Sequence, residues 1–185
     1  MSMPGHRYPG TVGHLVLVGM MGSGKTTVGT ELARSIGCPF VDVDEQIELR
    51  QGRSIPQIFD EDGEGAFRLI ERSVLAQVLA CQEPSVVAVG GGAVLDSANR
   101  ELMRDRGTVI WLRATPEVLC HRVGDGVGRP LLECAGGEVG SRIEELAAAR
   151  EAAYHQAAHD VVNVDHLTVD EVSDLLVRFL QTEPT

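Results

Sequence analysis

Gly19-Met20-Met21-Gly22-Ser23-Gly24-Lys25-Thr26 follows directly on the apolar run Leu15-Val16-Leu17-Val18 and opens a helical pattern over 24–36. It matches the phosphate-binding pattern GxxxxGK[ST], and a strand before it with a helix after it is the setting that pattern requires. Glycines let successive backbone N–H groups curl around a phosphate, and the positive end of the following helix adds to the attraction. The plain alternative is a glycine-rich turn that merely links strand to helix, but a complete match in this setting seldom arises without a nucleotide. Gly22, Ser23, Gly24, Lys25, Thr26 and Thr27 are therefore the expected ATP-binding set. Lys25 would reach the β and γ phosphates and the Thr26 hydroxyl would ligate Mg²⁺.

Outward from this stretch, Phe40-Val41-Asp42-Val43, Val86-Val87-Ala88-Val89, Val109-Ile110-Trp111-Leu112 and Val161-Val162-Asn163-Val164 read as further short strands, mostly too continuous in apolar character to be half exposed. Helical patterns over 45–51, 64–81, 97–106, 116–123, 141–158 and 168–181 alternate with them, which predicts an α/β domain on a parallel sheet. Thr115 before Pro116 is a helix start signal, and Thr168 with Glu171 fits a capping box. The rhythm breaks only at Gly124-Asp125-Gly126-Val127-Gly128-Arg129-Pro130 and on to Gly140. A long loop inside a compact domain suggests a lid, here over about 124–140.

Asp42 and Asp44 end the second strand in this reading, so both carboxylates would project from one face at the carboxyl edge of the sheet. Two adjacent carboxylates repel unless a cation, a bound hydroxyl or an arginine compensates. Asp42 is accordingly expected toward Mg²⁺ through water and Asp44 toward an acceptor hydroxyl, with plain helix capping as the alternative. Gly90-Gly91-Gly92 follows the third strand at the same edge and would let backbone approach a ligand. Arg129, carried by the lid, could neutralise charge on a transferring phosphoryl group. Arg68, Arg122 and Arg150 are ambiguous by spacing alone. His155 and His159, four apart on a helix, lack an acidic partner with a recognisable metal signature.

Composition narrows the classes. The 185 residues carry 16 Lys+Arg against 27 Asp+Glu, a net charge of −11 that repels nucleic acids and anionic membranes. An anionic small molecule would therefore need local cations. Cys38, Cys81, Cys120 and Cys134 are scattered, with neither a disulfide framework nor a zinc spacing, so reduced thiols in the cytoplasm are expected. No apolar run approaches the roughly 20 residues of a membrane span. The reading is a flexible polar tail over 1–12 and a single domain over 13–182.

Together these pieces resemble the shikimate kinases, small P-loop kinases of the nucleoside monophosphate kinase type. The resemblance rests on an ordered set: GMMGSGKTT (19–27), VDVD (41–44), GRSIPQIF (52–59), GEGAFRLIE (63–71), GGGAV (90–94), RPLL (129–132) and the Arg150 helix. It implies a five-stranded parallel sheet in the order 2-3-1-4-5 and ATP-dependent phosphorylation of the 3-hydroxyl of shikimate. It also implies a shikimate site of Asp44, Arg68, Gly90 to Gly92 and Arg150, with the two arginines on the carboxylate and Phe59 and Phe67 as walls. Arg122 would lie against adenine and Arg129 would be the lid arginine. The catalytic set is then Lys25, Asp44 and Arg129, acting as a monomer on a small-molecule substrate. Two other readings remain open: a kinase for another hydroxylated acid or cyclitol, such as a gluconate, and a silent ATP-binding protein.

Overall fold

Residues 13–124, 132 and 139–181 are described by the computed structural model. Five strands, β1 (His14–Val18), β2 (Phe40–Asp42), β3 (Val86–Ala88), β4 (Gly107–Arg113) and β5 (Asp160–Asn163), pair in parallel in the order β2-β3-β1-β4-β5. The helices are α1 (Lys25–Ile36), α2 (Val43–Gln51), α3 (Ile55–Leu79), α4 (Ser97–Arg106), α5 (Pro116–Val123), α6 (Val139–Ala157) and α7 (Val169–Gln181), with a short 3₁₀ turn at Ala93–Leu95.

Strand side chains alternate between the two faces of a sheet, and the core divides accordingly. Leu15 and Leu17 of β1 pack with Ile110 and Leu112 of β4 against α1 and α7, through Leu32, Ile36, Val172 and Leu176. Val16 and Val18 pack with Val87, Val109 and Trp111 on the other face, against Ile47, Leu75, Met103, Ile143 and Tyr154. The central strands are buried on both sides, as continuous apolar runs require. The edge strand β5 departs from that expectation: Asp160, Val161 and Asn163 are exposed, because nothing among the described residues covers the outer edge.

The helix boundaries follow from local chemistry. α4 and α5 match their predicted spans, and Thr168 and Glu171 form the reciprocal capping bonds at the start of α7. Thr115 precedes α5 without a side-chain cap; its backbone N–H donates instead to Asp165. Two differences matter for the site. The strand β2 stops at Asp42, which caps α2, so Asp44 lies in the first helical turn and not on the strand. A helical stretch from Ile55, begun by a Ser54–Gln57 capping box, precedes the expected 64–81 helix and joins it at Gly63, whose φ of 82° and ψ of 167° interrupt α3.

The order of strands reverses on either side of β1. In open α/β sheets such a switch point opens a crevice at the carboxyl ends of the strands. The segments after β1 and β3, carrying 19–26 and 90–92, and the last residue of β2, Asp42, all lie there.

Candidate active site

A cleft of about 770 Å³ occupies this edge, lined by the glycine-rich loop, Asp42, Asp44, Phe59, Phe67, Arg68, Glu71, Gly90 to Gly92 and Arg150. Its floor on the nucleotide side is the loop at 19–26. Gly22 and Gly24 have φ of 80° and 92°, values that admit glycine easily and other residues only with strain. That curl turns the chain into the N-terminus of α1. Lys25 Nζ folds back to donate to the carbonyls of Gly19, at 2.9 Å, and Met20, at 3.0 Å, so the ammonium lies over the loop.

Thr26 Oγ1 donates to Asp42 Oδ2 at 2.8 Å, while Asp42 Oδ1 accepts from the Asp44 N–H at 3.0 Å. One carboxylate therefore both caps α2 and orients the threonine hydroxyl. With its proton given to Asp42, that hydroxyl keeps its lone pairs for a hard cation, and the all-oxygen donor pair suits Mg²⁺. Thr26, Thr27 and Asp42 are accordingly brought together beside the loop.

The second subsite lies around the glycine turn. Asp44 Oδ1 and Glu71 Oε1 both crowd Gly90, where an added Cβ would come within 2.7 and 2.8 Å of them. Burial, followed by the charge of Asp42, pushes the Asp44 carboxyl up to about 6, with Lys25 and Arg68 pulling the other way. Burial likewise pushes Glu71 up to about 7, against the pull of Arg68. Glu71 Oε2 accepts from Arg68 at 2.8 Å, and its other oxygen is buried without a hydrogen-bond partner. Glu71 is thus part of the site although sequence reasoning did not single it out. The available signal was its position three residues after Arg68, a spacing that puts both on one helix face.

Arg68 spans the subsite mouth. Burial opposes its charge, but Glu71 and the exposed Glu64 outweigh it and raise the pKa. Its guanidinium packs against Gly92, where an added Cβ would push it aside, and stands 5.2 Å from the Phe67 ring centre. Phe59 and Phe67 meet at 4.7 Å between ring centres and wall the same cleft. Arg150 differs in kind: it is 3% exposed and has no carboxylate in an ion pair with it among the described residues, its Nη1 reaching the Met20 thioether at 3.8 Å. Sulfur is a weak acceptor, and burial, the largest influence, lowers the Arg150 pKa. A buried cation of this kind favours an anion beside it.

Arg122 donates to the Val164 carbonyl at 3.0 Å and lines the cleft beside Val164, Leu167, Thr168 and Val169, next to Gly22. Arg129 lies outside the described residues, as do Pro130, Leu131 and most of the 124–140 segment. His155 and His159 do not converge: His155 meets the edge of Trp111, and His159 Nδ1 accepts from the Val109 N–H. Cys38, Cys81 and Cys120 are free thiols.

Fold and cleft together define the class: a P-loop kinase, with a glycine-rich loop on one side of a crevice and Arg68 and Arg150 around a glycine turn on the other. The family pattern described as Shikimate kinase matches residues 21–181. A shikimate kinase of Symbiobacterium thermophilum is 45% identical over 91% of this chain and 96% of its own, and one of Ralstonia nicotianae is 41% identical over 92% and 88%. The solved shikimate kinase from Acinetobacter baumannii in complex with shikimate superposes with a TM-score of 0.86 at 33% identity, covering 91% of this chain and 92% of that one. The chain belongs to the shikimate kinase family. A gluconokinase from Sinorhizobium meliloti shares the fold alone, at 22% identity and a TM-score of 0.54.

Proposed function

We propose that this chain transfers the γ-phosphoryl group of ATP to the 3-hydroxyl of shikimate, giving 3-phosphoshikimate and ADP, a step of chorismate and aromatic amino-acid biosynthesis. The observation that carries this reading is the convergence of Arg68 and Arg150 on the Gly90–Gly92 turn, beside Asp44 and in one cleft with the P-loop. Two guanidinium groups form directional, charge-assisted bonds to a carboxylate. They also answer the repulsion that a protein of net charge −11 presents to an anionic acid.

Phosphoryl transfer needs alignment and charge neutralisation more than covalent help. Gly22 to Thr27 grip the triphosphate through backbone amides, and Lys25 swings from its own loop carbonyls to the β and γ phosphates. Thr26 and Asp42 would hold Mg²⁺, which would neutralise charge on the phosphates. Asp44 accepts the hydrogen bond of the 3-hydroxyl and orients it for attack, and its raised pKa suits it to take the proton. Arg68 and Arg150 seize the carboxylate, with Phe59 and Phe67 closing the apolar side. Arg122 borders the adenine end, and Arg129, which lies outside the described residues, completes charge neutralisation. The unit is a single kinase domain over 13–182, monomeric and cytoplasmic.

Coupled ADP release with Mg-ATP against shikimate, quinate, gluconate and aminoshikimate tests the reading. Turnover is expected to favour shikimate, with Arg68→Ala raising the acid KM and Lys25→Ala mainly lowering kcat. Turnover confined to gluconate would overturn the substrate, and binding without turnover on every acid would overturn the activity.

A further inference from the structure

Tyr154 stands four residues after Arg150, one turn along the same face of α6. It is 1% exposed, and its hydroxyl donates to the Gly91 carbonyl at 2.7 Å. Gly91 is where the two side chains meet: a Cβ there would lie 3.4 Å from the Tyr154 hydroxyl and 3.5 Å from Arg150 Nη1. The hydroxyl that fixes the glycine turn is therefore also a neighbour of the buried guanidinium.

From this geometry we infer that Tyr154 is a positioning residue for the acid-binding clamp, tying α6 to the Gly90–Gly92 turn and aiming Arg150 at the acceptor's carboxylate. The inference rests on the acid-binding role proposed for Arg150. Having given its proton to Gly91, the phenol oxygen keeps its lone pairs as acceptors at the same glycine that borders the guanidinium, which itself reaches the Met20 thioether. The ring has its own support: it stacks on Trp111 of β4 at 5.2 Å and 17°, and Trp111 in turn meets His155 edge-on at 4.9 Å. The sheet thus fixes the ring, the ring fixes the hydroxyl, and the hydroxyl fixes both halves of the anion site.

A purely structural tyrosine would contribute volume and stacking, which phenylalanine retains. Tyr154→Phe removes only the oxygen, so the comparison isolates positioning. Steady-state kinetics with shikimate and with its methyl ester, which has no carboxylate for Arg150 to hold, provide the readout. The acid KM is expected to rise about tenfold, the scale of one lost hydrogen bond to a charged group, with kcat and the ATP KM within about twofold. The ester KM should stay near its wild-type value, so the acid-over-ester preference collapses. An unchanged acid KM, or equal rises for acid, ester and ATP, overturns the inference. Arg150→Ala in the same assay separates the two levels: if it leaves the acid KM unchanged, the clamp itself is wrong; if it raises that KM while Tyr154→Phe does not, only the positioning role fails.

Discussion

Gly92 carries no unusual backbone angle, with φ at −99°, yet the Arg68 guanidinium fills the place of its Cβ. Gly92→Ala should therefore act on substrate binding and not on the fold: the acid KM is expected to rise about tenfold or more while the melting temperature and the ATP KM hold, as steady-state kinetics and calorimetry would report. Titration at Glu71 gives a second residue-level expectation. Its carboxyl titrates at about 7 in the folded chain against an ordinary 4.5, so the native state binds more protons than the unfolded one between those values. Stability then falls as pH rises through that window and levels off above it. Asp44 adds a contribution of the same sign up to about 6, and the two titrate as a coupled pair. Melting temperature should rise from pH 8 to pH 5.5, and Glu71→Gln should flatten the rise. A wild-type melting temperature that drops over this range would contradict the buried carboxyl pair.

Among the elements, α3 shows how a local signal can be hidden. Ser54 and Gln57 form a reciprocal box, and Pro56 suits the first turn, but Asp60, Asp62 and two glycines within 60–65 obscure the helical period. The break at Gly63 turns the Phe59 half toward the Phe67 half, which is how two rings eight residues apart come to 4.7 Å. Its φ and ψ lie in a region open to glycine alone, at a cost of about 1–3 kcal/mol for another residue. Gly63→Ala is expected to lower the melting temperature and raise the acid KM together by loosening that wall; no change in either would mean that α3 tolerates the turn without glycine. The start of α2 is hidden for a related reason. Val41-Asp42-Val43-Asp44 alternates like a strand, but Asp42 accepts from the Asp44 N–H and starts the helix two residues early. Both carboxylates still reach the same edge, one as cap and one from the first turn.

Over the whole molecule, the P-loop, the strand runs and the glycine turn were legible because each is local: a few contiguous residues whose types dictate a conformation. Arg150 was ambiguous by spacing because nothing in Ala149-Arg150-Glu151 tells a surface charge from a buried one. Only tertiary packing, beside Met20 and Gly91, buries it, at 3% exposure, in a protein whose net charge is −11. Glu71 and Tyr154 went unseen on the same grounds, since their partners lie on other turns or other elements. The parallel order β2-β3-β1-β4-β5 does the gathering, delivering loop, carboxylates and glycine turn to one edge. The most direct measurement is a crystal structure of the chain with ADP, Mg²⁺ and shikimate. The carboxylate is expected on Arg68 and Arg150, with Glu64 displaced from Arg68, and the 3-hydroxyl on Asp44 facing the P-loop. A shikimate that leaves both guanidinium groups untouched, or that turns its 3-hydroxyl away from Asp44, would contradict the assignment.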